Sequence, residues 1–126
     1  MHPSSTEREI KAFFAGRPEA AAVFDVLRLI IDELGPATIR VSKSQVAFSR
    51  STRTFAWAWT PGHWLRGTHA PLVLSIAFDH EVASPRWKEV VQPSPGRWMH
   101  HLEIWSRDDL DDEVRGWLRD AVAATD

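Results

Sequence analysis

The chain has 126 residues, 44% of them apolar and 25% charged, with a formal net charge of −2 and no cysteine. That length suits one domain, because two separate cores would each be marginal, and the balance is that of a folded chain rather than a disordered one. The missing cysteines exclude disulfides, thiolate metal sites and cysteine nucleophiles.

The start, residues 1–9, is too polar to read as a signal peptide, and no apolar run nears the roughly 18–20 residues that span a bilayer. The expectation is a single domain over residues 1–126, cytoplasmic and without membrane contact. Seven tryptophans stand against no tyrosine. Tryptophan brings a large apolar area and one N–H that wants a partner, so these residues serve either the core or a stacking surface.

Ser4 followed by Glu7 has the spacing of a capping box. The helix it opens presents Ile10, Phe13 and Phe14 and stops at Gly16. Pro18 fits the first turn of a second helix. Val23, Phe24, Leu27, Ile30, Ile31 and Leu34 then form one apolar stripe, which Gly35 and Pro36 end.

From Ala37 the period changes to two. Ile39 and Val41, then Val46 and Phe48, then Phe55, Trp57 and Trp59 alternate with small or polar residues, which predicts a three-strand meander. Residues 60–71 carry two prolines and two glycines and read as a loop. Residues 72–78 are almost wholly apolar, as in a central strand. Residues 85–91 are expected to form a short helix, and Pro93 to Gly96 a turn into a last strand over 97–105. Acids crowd the start of a final helix over 109–123, where they favour the positive end of its dipole. The order predicts an α+β domain: an antiparallel sheet of about five strands, with amphipathic helices packed on one face.

Three features carry candidate chemistry. The stretch from Leu34 to Phe78 contains Arg40, Lys43, Arg50, Arg53 and Arg66 but no acid, and Phe48, Phe55, Trp57, Trp59 and Trp64 are interleaved with these bases. Bases beside aromatic faces suit ligands that carry phosphate and can stack. The competing reading puts the aromatics in the core and has the acidic last helix neutralise the basic strands.

The second feature is Arg97 through His101. By strand parity His100 shares a face with Trp98, Leu102 and Ile104, which predicts a buried, hydrogen-bonded histidine. His101 faces the other way, with Met99, Glu103 and Trp105. Either is a candidate general acid or base. Adjacent strand residues cannot easily share one ion, and His63, His69 and His80 add no metal-ligand spacing, so no metal is expected. The third feature is Lys43-Ser44-Gln45, where parity sends Lys43 from the end of a buried face toward a cleft beside His100 if those strands are neighbours.

The run Lys43-Ser-Gln-Val-Ala-Phe48, followed by Arg53-Thr-Phe-Ala-Trp57, resembles an uncharacterised bacterial family, domain of unknown function 5655. So do Pro95 through His101 and Asp109 through Leu118. The resemblance spans residues 22–121 and implies a compact domain with no assigned activity, cofactor or catalytic residue. No functional residue is carried across from it.

The leading functional expectation is a non-enzymatic ligand-binding or interaction domain. Lys43, Gln45, Arg50, Arg53, Trp57, Trp59 and Arg97 are its candidate binding residues. A phosphate-bearing small molecule or single-stranded nucleic acid is the expected ligand type, and no cofactor is implied. One alternative is a small enzyme with His100 or His101 as acid or base and Lys43 or Arg97 stabilising an anion. Another is a partner-binding subunit whose exposed tryptophans act as hot spots.

Overall fold

The Ser4 hydroxyl accepts from the Glu7 N–H and caps α1 (Ser5–Phe13), which ends just before Gly16. Only half of the expected capping box forms, because the Glu7 carboxylate turns instead to a two-pronged pair with Arg28 on the next helix. Pro18 sits at the first position of α2 (Pro18–Glu33), whose apolar stripe buries Val23, Phe24, Leu27, Ile30 and Ile31. These elements come from a computed structural model, which describes residues 4–61 and 69–125. Trp64, Arg66 and His63 therefore lie outside the described residues.

The strands are β1 (Thr38–Val41), β2 (Val46–Arg50), β3 (Arg53–Trp59), β4 (Leu72–Phe78), β5 (Glu89–Ser94) and β6 (Arg97–Ile104). They form one sheet in the order β1-β2-β3-β4-β6-β5, with every described pairing antiparallel. The architecture is α+β, with six strands rather than about five.

The extra strand is β5, where residues 85–91 had read as a short helix. Only a turn at residues 85–86 forms there; the chain then runs extended along the outside of β6, with Val90 opposite His100. An edge strand with mostly exposed side chains carries no apolar alternation to announce it. Pro93 belongs to it, and edge strands tolerate a missing N–H. Gly96, at φ +73°, supplies the left-handed residue of the two-residue turn between β5 and β6.

The final helix also starts later than expected. Ser106 and Asp109 close a capping box around a single 3-10 turn (Arg107–Asp109). Asp111 then caps α3 (Asp112–Ala123) by accepting from the Val114 N–H.

All three helices pack on the same sheet face. Phe24, Leu27 and Ile31 of α2 and Val114, Leu118 and Ala121 of α3 share one buried cluster with Phe48, Leu74, Ile76, Leu102 and Ile104. Ile10 of α1 and Phe14, which caps the end of that helix, close its end, with the Phe14 and Phe24 rings 4.8 Å apart. A β-bulge adds to the core. Phe48 faces Ala56 but Ser49 faces Thr54, so Phe55 is the unmatched residue, and consecutive Phe55 and Ala56 are both buried.

Leu27 is fully buried in the middle of the α2 stripe. Leu27→Ala is expected to cost about 2–5 kcal/mol, the usual range for buried leucine truncation, and the urea unfolding midpoint measures it. An unchanged midpoint would show that this stripe does not carry the core.

Candidate binding site on the uncovered sheet face

Neighbouring rows of the sheet have opposite fates. One row, Phe48, Ala56, Ile76, His100 and Val90, faces the helices. The next, Ala47, Trp57, Ser75, His101 and Glu89, faces away from them. Trp57 and Trp59 are therefore half-buried on the uncovered face, while Ala56 and Ala58 point inward.

On that face Ser44, Gln45, Trp57, Trp59, Ser75, Met99 and His101 line a concave site of about 450 Å³. Its floor is a hydrogen-bond chain across three strands. The Trp59 indole N–H donates to Ser75 Oγ at 2.9 Å, and Ser75 Oγ lies 2.6 Å from His101 Nδ1. With its oxygen accepting from the indole, the serine directs its own hydrogen to Nδ1, and the remaining imidazole proton sits on Nε2. Burial pushes the His101 imidazole below its ordinary value, with Glu89 partly opposing, so the neutral ring is favoured.

Sequence reasoning missed Ser75. Its signal was there to read, as the one polar side chain within the apolar run of β4. Its partnership with His101, however, requires the β4–β6 pairing. Although Ser75 touches a histidine, it is only 2% exposed and already accepts from Trp59. An exposed, base-activated nucleophile has neither property.

His100 goes the other way and is fully buried. The Val82 N–H donates to its Nε2 at 3.0 Å, and its Nδ1 lies 3.3 Å from the Trp98 carbonyl. Phe78 and Trp87 meet its ring edge-on, each with centroids 4.9 Å away. Burial lowers its affinity for a proton, and the Trp98 carbonyl and Glu81 offset this only in part. This histidine pins the segment before β5 to the core rather than opening into a cleft.

Lys43 is exposed at the β1–β2 hairpin tip, beside Ser44 and Gln45, and β3 and β4 separate that hairpin from the β6 strand of His100. The same hairpin is held by Ser42, whose N–H donates to the Gln45 carbonyl and whose Oγ accepts from the Gln45 N–H. The remaining candidates are dispersed. Arg50 and Arg53 lie at the opposite end of β2 and β3, and Arg50 packs its guanidinium against Gly35, where a Cβ would meet it at 3.5 Å. Arg97 reaches over Trp57, with its guanidinium carbon 5.6 Å from the ring centroid.

Two acids at the start of α3 are engaged by a base outside this set. Asp111 and Glu113 pair with Arg86, at 3.1 and 2.8 Å, and Arg115 pairs with Glu33 of α2. Among the described residues no group of three or more histidine, aspartate or glutamate side chains is placed to hold a metal ion. His80 pairs with Asp79 at 2.6 Å. No described helix is long and apolar enough to cross a membrane.

A family model described as Domain of unknown function (DUF5655) matches residues 10–123, nearly the whole chain. The chain belongs to the DUF5655 family. No curated protein and no solved structure matches it. In this DUF5655 domain the match covers every strand and all but the first turns of α1, so the site described above lies wholly within it.

The two histidines give the DUF5655 domain a defined acid sensitivity. Each has a folded pKa below its ordinary value, so the unfolded chain takes up protons first as pH falls below about 6.5. Stability is expected to drop through that window, by at most about 1.4 kcal/mol per pH unit for each histidine. Urea midpoints between about pH 7.5 and pH 5.5 measure the slope. His101→Gln should make it shallower, and an identical slope in the variant would refute the assignment.

Proposed function

We propose that this domain binds a small planar ligand on the uncovered sheet face and does no chemistry on it. The carrying observation is the Trp59–Ser75–His101 chain, which locks one indole and one imidazole donor beside Trp57 around a concave site. Pockets of roughly 300–1,000 Å³ with apolar walls and a few fixed polar groups suit small ligands. Trp57, Trp59 and Met99 offer the apolar and stacking surface. His101, Gln45 and Ser44 offer hydrogen bonds at its edges.

Binding is favoured over turnover by the state of the polar groups. His101 Nδ1 is occupied by Ser75, and Ser75 is buried, which leaves neither a free Nδ1 base nor an accessible nucleophile. A small ligand is favoured over single-stranded nucleic acid by charge. Arg40 and Arg97 share this face with Glu89 and Glu103, and Lys88 is tied to Glu103 at 3.3 Å. A polyanion needs a track of bases, and among the described residues this face sets two arginines among these carboxylates. The same reading sets the domain in the cytoplasm, where a chain without cysteines forgoes nothing.

Indole N–H resonances make the test direct. Titration with a panel of nucleosides, flavins and indoles should move the Trp57 and Trp59 signals first. Trp57→Ala or His101→Ala should then weaken binding by about tenfold or more, as loss of one stacking or hydrogen-bond partner does. Ligands that perturb only the other indoles would refute the site. Binding whose salt dependence matches several released counterions, rather than about one, would favour nucleic acid instead.

A further inference from the structure

Beside the aromatic site, at the end of the sheet where β3, β4 and the β5–β6 turn meet the end of α3, lies a second cleft of about 300 Å³. Arg53 and Arg97 line it, together with Thr54, Ser94, Gly96 and Asp79. Neither arginine is in ion-pair contact with a described residue, although Arg53 lies near enough to Asp79 to favour its charged form. Asp79 is the one acid among the described lining residues, and it also contacts His80 at 2.6 Å.

Two of the carbonyls at the end of α3 are occupied by the residues that follow it. Ala124 N–H donates to the Asp120 carbonyl, and both the N–H and the hydroxyl of Thr125 donate to that of Val122. Among the described lining residues, two guanidinium groups thus share the cleft with one carboxylate, which leaves the balance positive.

Arg97 links the cleft to the aromatic pocket through Trp57. Its guanidinium stacks over Trp57, which also lines the aromatic pocket. Stacking fixes the plane of a guanidinium without using its charge or its in-plane N–H donors, and these remain able to grip a carboxylate or phosphate in forked geometry. Arg53 comes from β3, which β4 separates from β6, and is exposed, so it can close on the same anion from another side.

We infer that Arg53 and Arg97 form an anion subsite for the ligand of the aromatic pocket, and that this ligand is a phosphate monoester of a planar heteroaromatic compound. The ring lies with Trp57 and Trp59, and the phosphate lies between the two arginines. The ligand class rests on the proposed reading of the aromatic pocket, whereas the anion subsite has its own observations.

The experiment compares three probes on the full chain by NMR: inorganic phosphate, adenosine, and adenosine 5′-monophosphate. Phosphate alone should move the side-chain N–H resonances of Arg53 and Arg97. The monophosphate should bind wild type at least about tenfold more tightly than adenosine, as a charge-assisted fork provides. Arg53→Ala should erase that advantage and leave adenosine binding unchanged, with an unaltered melting curve because Arg53 is exposed. Arg97→Lys keeps the charge but loses the fork and the stack, and should lose part of the advantage.

Equal affinities of the nucleoside and its monophosphate would overturn the inference. So would an Arg53→Ala variant that keeps the difference, or arginine signals unmoved by phosphate and monophosphate at about 10 mM, where even millimolar binding would register. If the arginines respond while the Trp57 and Trp59 indoles do not, the ring placement and the ligand class fail and only the anion subsite stands.

Discussion

Side chains along a strand alternate between two faces, and in this domain the helices cover only one of them. Everything else follows from how the sequence distributes bulk across that alternation. Ala56 and Ala58 face the helices on β3 and so let α2 and α3 approach the sheet, while the adjacent Trp57 and Trp59 are sent to the open side. The bulge at Phe55 is the exception that completes the core, because it returns one large ring to the helix side just as β3 begins. Without that extra residue, all three aromatic side chains of β3 would share the uncovered face.

The same alternation splits the histidine pair of β6. Both imidazoles lose solvent and both favour the neutral form, but to different ends. His100 fastens the segment around Val82 to the core, and Trp87 from that segment then packs at 4.1 Å against Trp117 of α3. Arg86 joins that contact from outside, lying over the Trp117 ring and pairing with Asp111 and Glu113. His101 meanwhile organises the uncovered face through Ser75. One dipeptide therefore stabilises the packing on one side and shapes a binding surface on the other.

Much of the framework was legible in the residues themselves. The α2 stripe recurs at helical spacing for three turns, and the meander and β4 announce themselves by period and by apolar density. His100 could be placed in the core by parity alone. The edge strand β5 could not be found this way, since exposed edge residues keep no apolar rhythm. The bulge was equally hidden, for nothing in Arg53 to Trp57 marks which residue goes unmatched. The site suffered most from what sequence omits: Ser75 meets His101, and Arg97 meets Trp57, only through the pairing of β3, β4 and β6. Lys43 could meet His100 only if their strands were neighbours, but β3 and β4 stand between the β1–β2 hairpin and β6.

The two margins of the sheet differ in how they treat a foreign strand. The outer margin of β5 carries Pro93, which has no N–H to offer, and its register with β6 breaks between Val91 and Ser94. A strand arriving there would find neither a continuous row of donors nor a flat template. The opposite margin, β1, is four residues long and has no such interruption, though Arg40 stands on it and α1 packs across it. Chain-to-chain sheet extension, the route to fibrils, is thus blocked at β5. At β1 it is limited chiefly by how few backbone groups that strand exposes.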